Sequence, residues 1–218
     1  MKAVIISDTH FRHKELIIPE GDIIIHSGDF GYNDITSHHF LDWFSSLDFK
    51  YRILVAGNHD AFFEEAGKKK IKEMCMEYYD TIYLEDEMIE IEGLKIYGSP
   101  WTVLFRDWHF MKKDEDLEEI WKNIPDDTNI LITHGPQKGV LDILSHMGKI
   151  EHLGSSTLAN RIAQLKDLKY HIFGHIHGEA GIKEPNEYRD YVSINASMMY
   201  EFNQDTSSLR TPIEIELI

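Results

Sequence analysis

Ala3 to Ile6 and Asp22 to His26 are apolar runs of strand length, and each gives way to a short turn loaded with Asp, His or Gly. Between Thr36 and Leu47 the apolar residues Phe40, Trp43, Phe44 and Leu47 recur at i, i+3, i+4 and i+7, which predicts an amphipathic helix with Thr36 as its N-cap. A third strand, Tyr51 to Ala56, leads into Gly57-Asn58-His59-Asp60. A second helix, interrupted at Gly67 and the lysine triplet Lys68-Lys69-Lys70, runs to Tyr79. Strands Met88 to Ile91 and Leu94 to Tyr97 flank Glu92-Gly93, a tight hairpin turn that adds an antiparallel element to this βαβα alternation.

Further on, the pattern predicts an acidic helix over Asp114 to Trp121 and a strand over Ile130 to Thr133. A long polar loop follows, then a helix over Thr157 to Leu165 and a strand over Tyr170 to Phe173. Two more strands, Tyr191 to Ile194 and Ile213 to Leu217, end the chain, the last alternating Ile, Glu, Ile, Glu, Leu as a half-buried strand does. Mixed strands with flanking helices predict an α/β layered fold. No repeat or composition shift divides the chain, so residues 1–218 are expected to form one domain.

Composition narrows this picture in three ways. No apolar run approaches the ~20 residues that span a bilayer, and the N-terminal stretch is cut short by Asp8 and His10 before any cleavage signal. No membrane association and a cytoplasmic location are therefore expected. The single cysteine, Cys75, excludes an internal disulfide, confines any metal site to nitrogen and oxygen ligands, and falls at helical spacing with Ile71, Met74 and Tyr78 as a core position. The net charge of −16, from 38 acidic and 22 basic residues, repels polyanions, so long nucleic acid is not an expected partner. A small phosphate ester needs only a local positive field, such as bound divalent metals supply.

Five clusters place metal-ligand side chains just after a strand: Asp8-Thr9-His10, Gly28-Asp29, Gly57-Asn58-His59-Asp60, Thr133-His134-Gly135 and Gly174-His175-Ile176-His177. In Asp8-x-His10 and His175-x-His177, both side chains reach one locus only where the backbone leaves the regular pleat. The adjacent glycines give the chain room to turn. Taken singly, Asp-x-His or Gly-Asp is weak, and His134 alone equally fits a turn cap. Their succession, each after a predicted strand, is the informative feature.

That ordered set resembles the calcineurin-like metallophosphoesterase superfamily. The flanking segments Ser7-Asp8-Thr9-His10, His26-Ser27-Gly28-Asp29-Phe30, Ile96-Tyr97-Gly98-Ser99-Pro100-Trp101, Thr133-His134-Gly135-Pro136 and Ile194-Asn195-Ala196-Ser197 are similar to its metallophosphoesterase-domain-containing subgroup, itself similar to class III cyclic nucleotide phosphodiesterases. The resemblance implies a four-layer α/β/β/α fold, two packed mixed sheets flanked by helices, with the ligands on loops at one end. It implies two divalent ions, manganese, iron or zinc, one bound by Asp8, His10, Asp29 and His177 and the other by Asp29, Asn58, His134 and His175. It also implies hydrolysis of a phosphate ester by a metal-activated hydroxide, with His59 protonating the leaving oxygen or stabilising the equatorial oxygens and Asp60 holding the His59 ring.

Asn33, Pro100, Trp101, His109 and Asn195 are candidates to line the pocket. Trp101 could stack on a nucleobase, and it fits a core position beside a turn proline equally well. The motifs contain no Lys or Arg to reward a dianion, which favours small diesters, cyclic nucleotides among them, over monoesters; Arg106 and Lys138 are unplaced. A phosphomonoesterase or nuclease with the same metals is the enzyme alternative. A phosphatase-like scaffold serving protein assembly is the other, although such scaffolds tend to lose ligands and this chain retains the full set.

Overall fold

The computed structural model describes residues 1–146, 149–200 and 208–217. In chain order its elements are β1 (Lys2–Ile6), β2 (Ile23–His26), α1 (Asp34–Ser46), β3 (Tyr51–Leu54), α2 (Ala61–Ala66), α3 (Lys68–Tyr79), β4 (Ile82–Tyr83), β5 (Glu87–Ile91), β6 (Leu94–Ser99), β7 (Thr102–Val103), β8 (Met111–Lys112), α4 (Asp114–Trp121), β9 (Ile130–Thr133), β10 (Ile143–His146), β11 (Lys149–His152), α5 (Ser156–Ile162), β12 (Tyr170–Phe173), β13 (Gly181–Lys183), β14 (Val192–Asn195) and β15 (Ile213–Glu216). One sheet has the order β15-β1-β2-β3-β4 and the other β13-β14-β12-β9-β6-β5. The interior strands of each sheet run parallel, and β15, β13 and β5 join antiparallel at the edges.

Side-chain alternation along each strand builds the layers. Ala3 and Ile5 of β1, Ile23 and Ile25 of β2, and Ile130 and Ile132 of β9 meet in one core between the sheets. Their neighbours point outward: Val4, Ile6 and Ile24 pack with Phe40, Phe44, Ile71 and Cys75 of α1 and α3, while Leu131 packs with Leu117, Trp121, Leu158 and Ile162 of α4 and α5. The result is the four-layer α/β/β/α arrangement that the resemblance implied. Parallel strands end together, so the segments after β1, β2 and β3 in one sheet and after β6, β9, β12 and β14 in the other converge at one rim. A bridge between Ser7 and Ser197 and the bond from Met198 N–H to Ser7 carbonyl (2.9 Å) tie the two sheets there.

Several local expectations change. Asn33, not Thr36, is the N-cap of α1: its side chain accepts from Thr36 N–H (3.0 Å) while Thr36 Oγ1 accepts from Asn33 N–H (3.0 Å), a reciprocal capping box. The second helix divides at Gly67 (φ 84°) into α2 and α3, and the lysine triplet opens α3 instead of breaking it. Cys75 and Ile71 are fully buried, but Tyr78 is 76% exposed. The loop expected after β9 contains the β10–β11 hairpin. Among the described residues no helix is long and apolar enough to cross a membrane.

Candidate metal centre

The five clusters come together at the rim. Asp8, His10, Asp29 and His175 have φ of 51°, 39°, 61° and 68°, the left-handed backbone that breaks the pleat and turns the side chains inward. Gly28 (φ 110°) and Gly174 allow the close approach: a Cβ at Gly28 would strike the His134 ring, and one at Gly174 would strike the Asp8 carboxylate and Ser7.

Two sets of donors result. In the first, His177 Nε2 lies 3.3 Å from both Asp8 Oδ1 and His10 Nε2, and His10 Nε2 is 3.7 Å from Asp29 Oδ2. In the second, His134 Nε2 lies 3.0 Å from Asn58 Oδ1 and 3.3 Å from Asp29 Oδ1, with His175 within reach of the same point. Asp29 thus presents one oxygen to each set.

The second set tests whether a metal fits. His134 Nδ1 is 2.9 Å from the Ser27 carbonyl, which can only accept, so the ring proton sits on Nδ1 and Nε2 is bare in the neutral ring. That bare nitrogen faces two oxygens that also only accept if Asn58 presents its carbonyl. In that orientation a cation at the point where they converge satisfies all three atoms. A proton is one solution: burial disfavours it, but the Asp29 carboxylate outweighs burial and pushes His134 up to about 9. A divalent ion is the other, and the N/O set suits manganese, iron or zinc. The carboxylates are kept as anions against the effect of burial, Asp8 by its bond to His177 and Asp29 by the charge of His134. Asp8 also accepts from His175 N–H at 3.0 Å and 3.1 Å. For His175, burial and then the His134 charge push the ring pKa down to about 3, leaving it a neutral donor.

Buried groups behind the donors fix the loops. His26 accepts from Gly28 N–H at Nδ1 (3.2 Å), so its Nε2–H donates to Thr9 Oγ1 (3.1 Å), coupling the Asp8–His10 and Asp29 loops. Burial pushes His26 down to about 3, consistent with a neutral ring. Thr133 Oγ1 donates to the Gly135 carbonyl (2.6 Å) and lies 2.9 Å from His171 Nε2, steadying the His134 turn.

Asp60 does not contact the His59 ring as expected. Its carboxylate accepts from Asp29, Phe30, Gly31 and Gly57 N–H groups at 2.7–3.0 Å and so clamps the Asp29 turn. His59 donates its backbone N–H to Asp29 Oδ1 (2.8 Å), its Nε2 lies 4.0 Å from Asp29 Oδ2, and its ring packs on Trp108 with centroids 4.2 Å apart.

A cavity of about 590 Å³ opens on this rim, lined by Asp29, Asn58, His59, His175 and His177. Its walls come from the segment between β7 and β8, including Leu104, Phe105, Arg106 and Trp108, and from the hairpin, including Leu144 and His152. Asn33, Pro100, Trp101, His109 and Asn195 are not among the lining residues. Asn33 caps α1, and Pro100 is buried. Trp101 donates to Asp86 (2.9 Å) and packs on Phe110, His109 pairs with Glu65 (3.4 Å), and Asn195 donates to the Ile176 carbonyl (2.8 Å). The aromatic wall is Phe105 and Trp108. Its only signal in the sequence is the aromatic density of Val-Leu-Phe-Arg-Asp-Trp-His, residues 103–109.

Two mixed sheets between helices, with a convergent Asp/His/Asn rim, agree with the calcineurin-like phosphoesterase class that the motifs resemble. The calcineurin-like phosphoesterase family model matches residues 1–179, and the chain belongs to that family. It is 33% identical to human metallophosphoesterase domain-containing protein 1 over 201 residues, covering 82% of this chain and 61% of that protein, and equally to the mouse protein of that name. The chain spans about three fifths of the length of these relatives. Of solved structures, the Thermus thermophilus protein TT1561 aligns with a TM-score of 0.63 at 13% identity, covering 89% of this chain and 88% of that one. The phosphopantetheinyl hydrolase of Mycobacterium tuberculosis aligns with a TM-score of 0.61 at 16% identity, covering 91% and 89%. At these identities the likeness concerns the fold.

Proposed function

We propose that the chain hydrolyses small phosphodiesters, nucleotides foremost among them, at two divalent ions. Asp8, His10, Asp29 and His177 would hold one ion, and Asp29, Asn58, His134 and His175 the other. The observation that carries this reading is the cavity: Asp29, Asn58, His175 and His177 of the donor sets line it, and its walls are largely apolar and aromatic. When bound, such ions polarise the phosphoryl oxygens and make water acidic enough to attack at neutral pH.

The chain's own groups supply the rest. Asp60 and His26 hold the ligand loops, so little reorganisation is needed when the ester binds. His59 gives a proton from its ring to the leaving oxygen as the P–O bond breaks, with Trp108 covering the ring and limiting water. The walls take an apolar or planar leaving group, and the net charge of −16 disfavours long polyanions.

One observation favours a phosphomonoesterase instead. Arg106 lines the cavity, the only Lys or Arg among the described residues that do so, and it could meet a dianion. A screen of metal-loaded protein against nitrophenyl phosphate, bis(nitrophenyl) phosphate, cyclic nucleotides and single-stranded oligonucleotides separates the readings. Diesters should have the higher kcat/KM; a marked monoester preference overturns the proposal.

A further inference from the structure

The β10–β11 hairpin stands beside the metal centre, and a buried carboxylate closes its base. Asp142, 1% exposed, accepts from Gly139 N–H (2.9 Å), Gly154 N–H (3.3 Å) and His152 Nδ1 (2.8 Å), while its carbonyl accepts from Leu153 N–H (2.9 Å). The His152 side chain, 46% exposed, lines the same cavity as His59, His175 and His177. β10 also packs against the turn that starts at His177. A carboxylate anion can only accept, so Nδ1 carries the ring proton. The neutral ring keeps Nε2 as a free acceptor.

We propose that His152 is a substrate-contacting residue and Asp142 its positioning residue, together accepting a hydrogen bond from an N–H or O–H on the part of the substrate that lies against the cavity walls. This rests on the phosphodiesterase reading and adds selectivity to it: esters of donor-bearing groups, such as an aminated base or a sugar hydroxyl, are favoured over esters of apolar alcohols. Apolar walls alone discriminate weakly between groups of similar shape. An acceptor that the bound ligand covers discriminates more, because a ligand without a donor shuts water away from Nε2 and leaves it unpaired.

The test compares kcat/KM of the metal-loaded chain for cyclic AMP, which carries an amino group and a hydroxyl, with that for bis(nitrophenyl) phosphate, which carries no N–H or O–H. The loss caused by His152→Ala should be about tenfold greater on cyclic AMP than on the apolar diester, as expected for one hydrogen bond. It should fall mainly on KM. His152→Gln, whose amide carbonyl can accept, should recover part of it, and Asp142→Asn should show a selective loss in the same direction. Losses equal on the two diesters, or absent from both, overturn the proposal. Should wild type hydrolyse neither diester, the phosphodiesterase reading fails, and calorimetric titration of AMP into metal-loaded wild type and His152→Ala decides this one: weaker binding to the variant supports it and equal affinity overturns it.

Discussion

At the scale of single residues, the site is organised by who donates to whom. The Ser27 carbonyl claims the proton on His134 Nδ1, so Nε2 is the atom at which a proton or a metal binds, and Asp60 acts on four backbone N–H groups and not on an imidazole. His59 is therefore positioned by its own backbone bond to Asp29 and by Trp108, with the Asp29 carboxylate, and not that of Asp60, 4.0 Å from its Nε2. His59→Ala should leave the ligand set intact and lower the rate by ~10²- to 10⁴-fold, the usual contribution of a positioned acid. The loss should be large for alkoxide leaving groups and small for nitrophenolate, which leaves without a proton. Elemental analysis together with kcat on paired substrates checks this, and an equal loss on both would exclude His59 as the leaving-group acid.

At the scale of elements, the legible patterns are those in which burial dictates residue type. The strands from Lys2 to Ile6, Ile130 to Thr133 and Tyr170 to Phe173 are mostly apolar and, beyond Lys2, buried on both faces because each lies between a helix layer and the opposite sheet, and α4 runs from Asp114 to Trp121 as expected. The clusters of the candidate metal centre stand out for a related reason: parallel strands end at one rim, and Asp, His and Gly recur there where a plain turn needs none. The hairpin is not legible, because strand Lys149–His152 is exposed along its length and carries no buried alternation. The pocket walls escape because choosing Trp101 over Trp108 depends on tertiary contacts: the first spends its indole N–H on Asp86. Asn33 reads in the sequence as a pocket candidate, yet its chemistry is that of a cap. Asn33→Ala should therefore cost about 1 kcal/mol of stability, the usual worth of an N-cap, and lower Tm with kcat/KM unchanged. A selective fall in kcat/KM at unchanged Tm would return Asn33 to the pocket.

At the scale of the molecule, the candidate metal centre joins residues of both sheets at that rim, beside the Ser7–Ser197 bridge, so its protonation and metal loading bear on folding. In metal-free protein the raised His134 and the depressed Asp8 and Asp29 act in opposite pH ranges. A raised histidine stabilises fully below its unfolded value of about 6.5 and loses that contribution as pH rises through its folded value, here about 9. The depressed carboxylates stabilise above about 4 and lose it as pH falls through their lowered values. His26 and His175, held neutral by burial with values of about 3, act the other way and cost stability as pH falls below about 6.5, so metal-free protein should be most stable near neutral pH and lose the His134 contribution toward pH 9. A divalent ion competes with the His134 proton for one point, so loading must release that proton, and the competition eases as pH rises. At a metal concentration about 100-fold above Kd, binding adds about 2.7 kcal/mol per site. Because Kd falls with pH, the gain in Tm from a fixed concentration of manganese should be larger at pH 8 than at pH 6. Thermal melts with and without manganese across that range, with calorimetry in two buffers of different ionisation enthalpy to count released protons, check the argument. A metal-induced Tm gain independent of pH, with no proton released at pH 7, would mean that the cation site formed by His134, Asn58 and Asp29 is not where the ion binds.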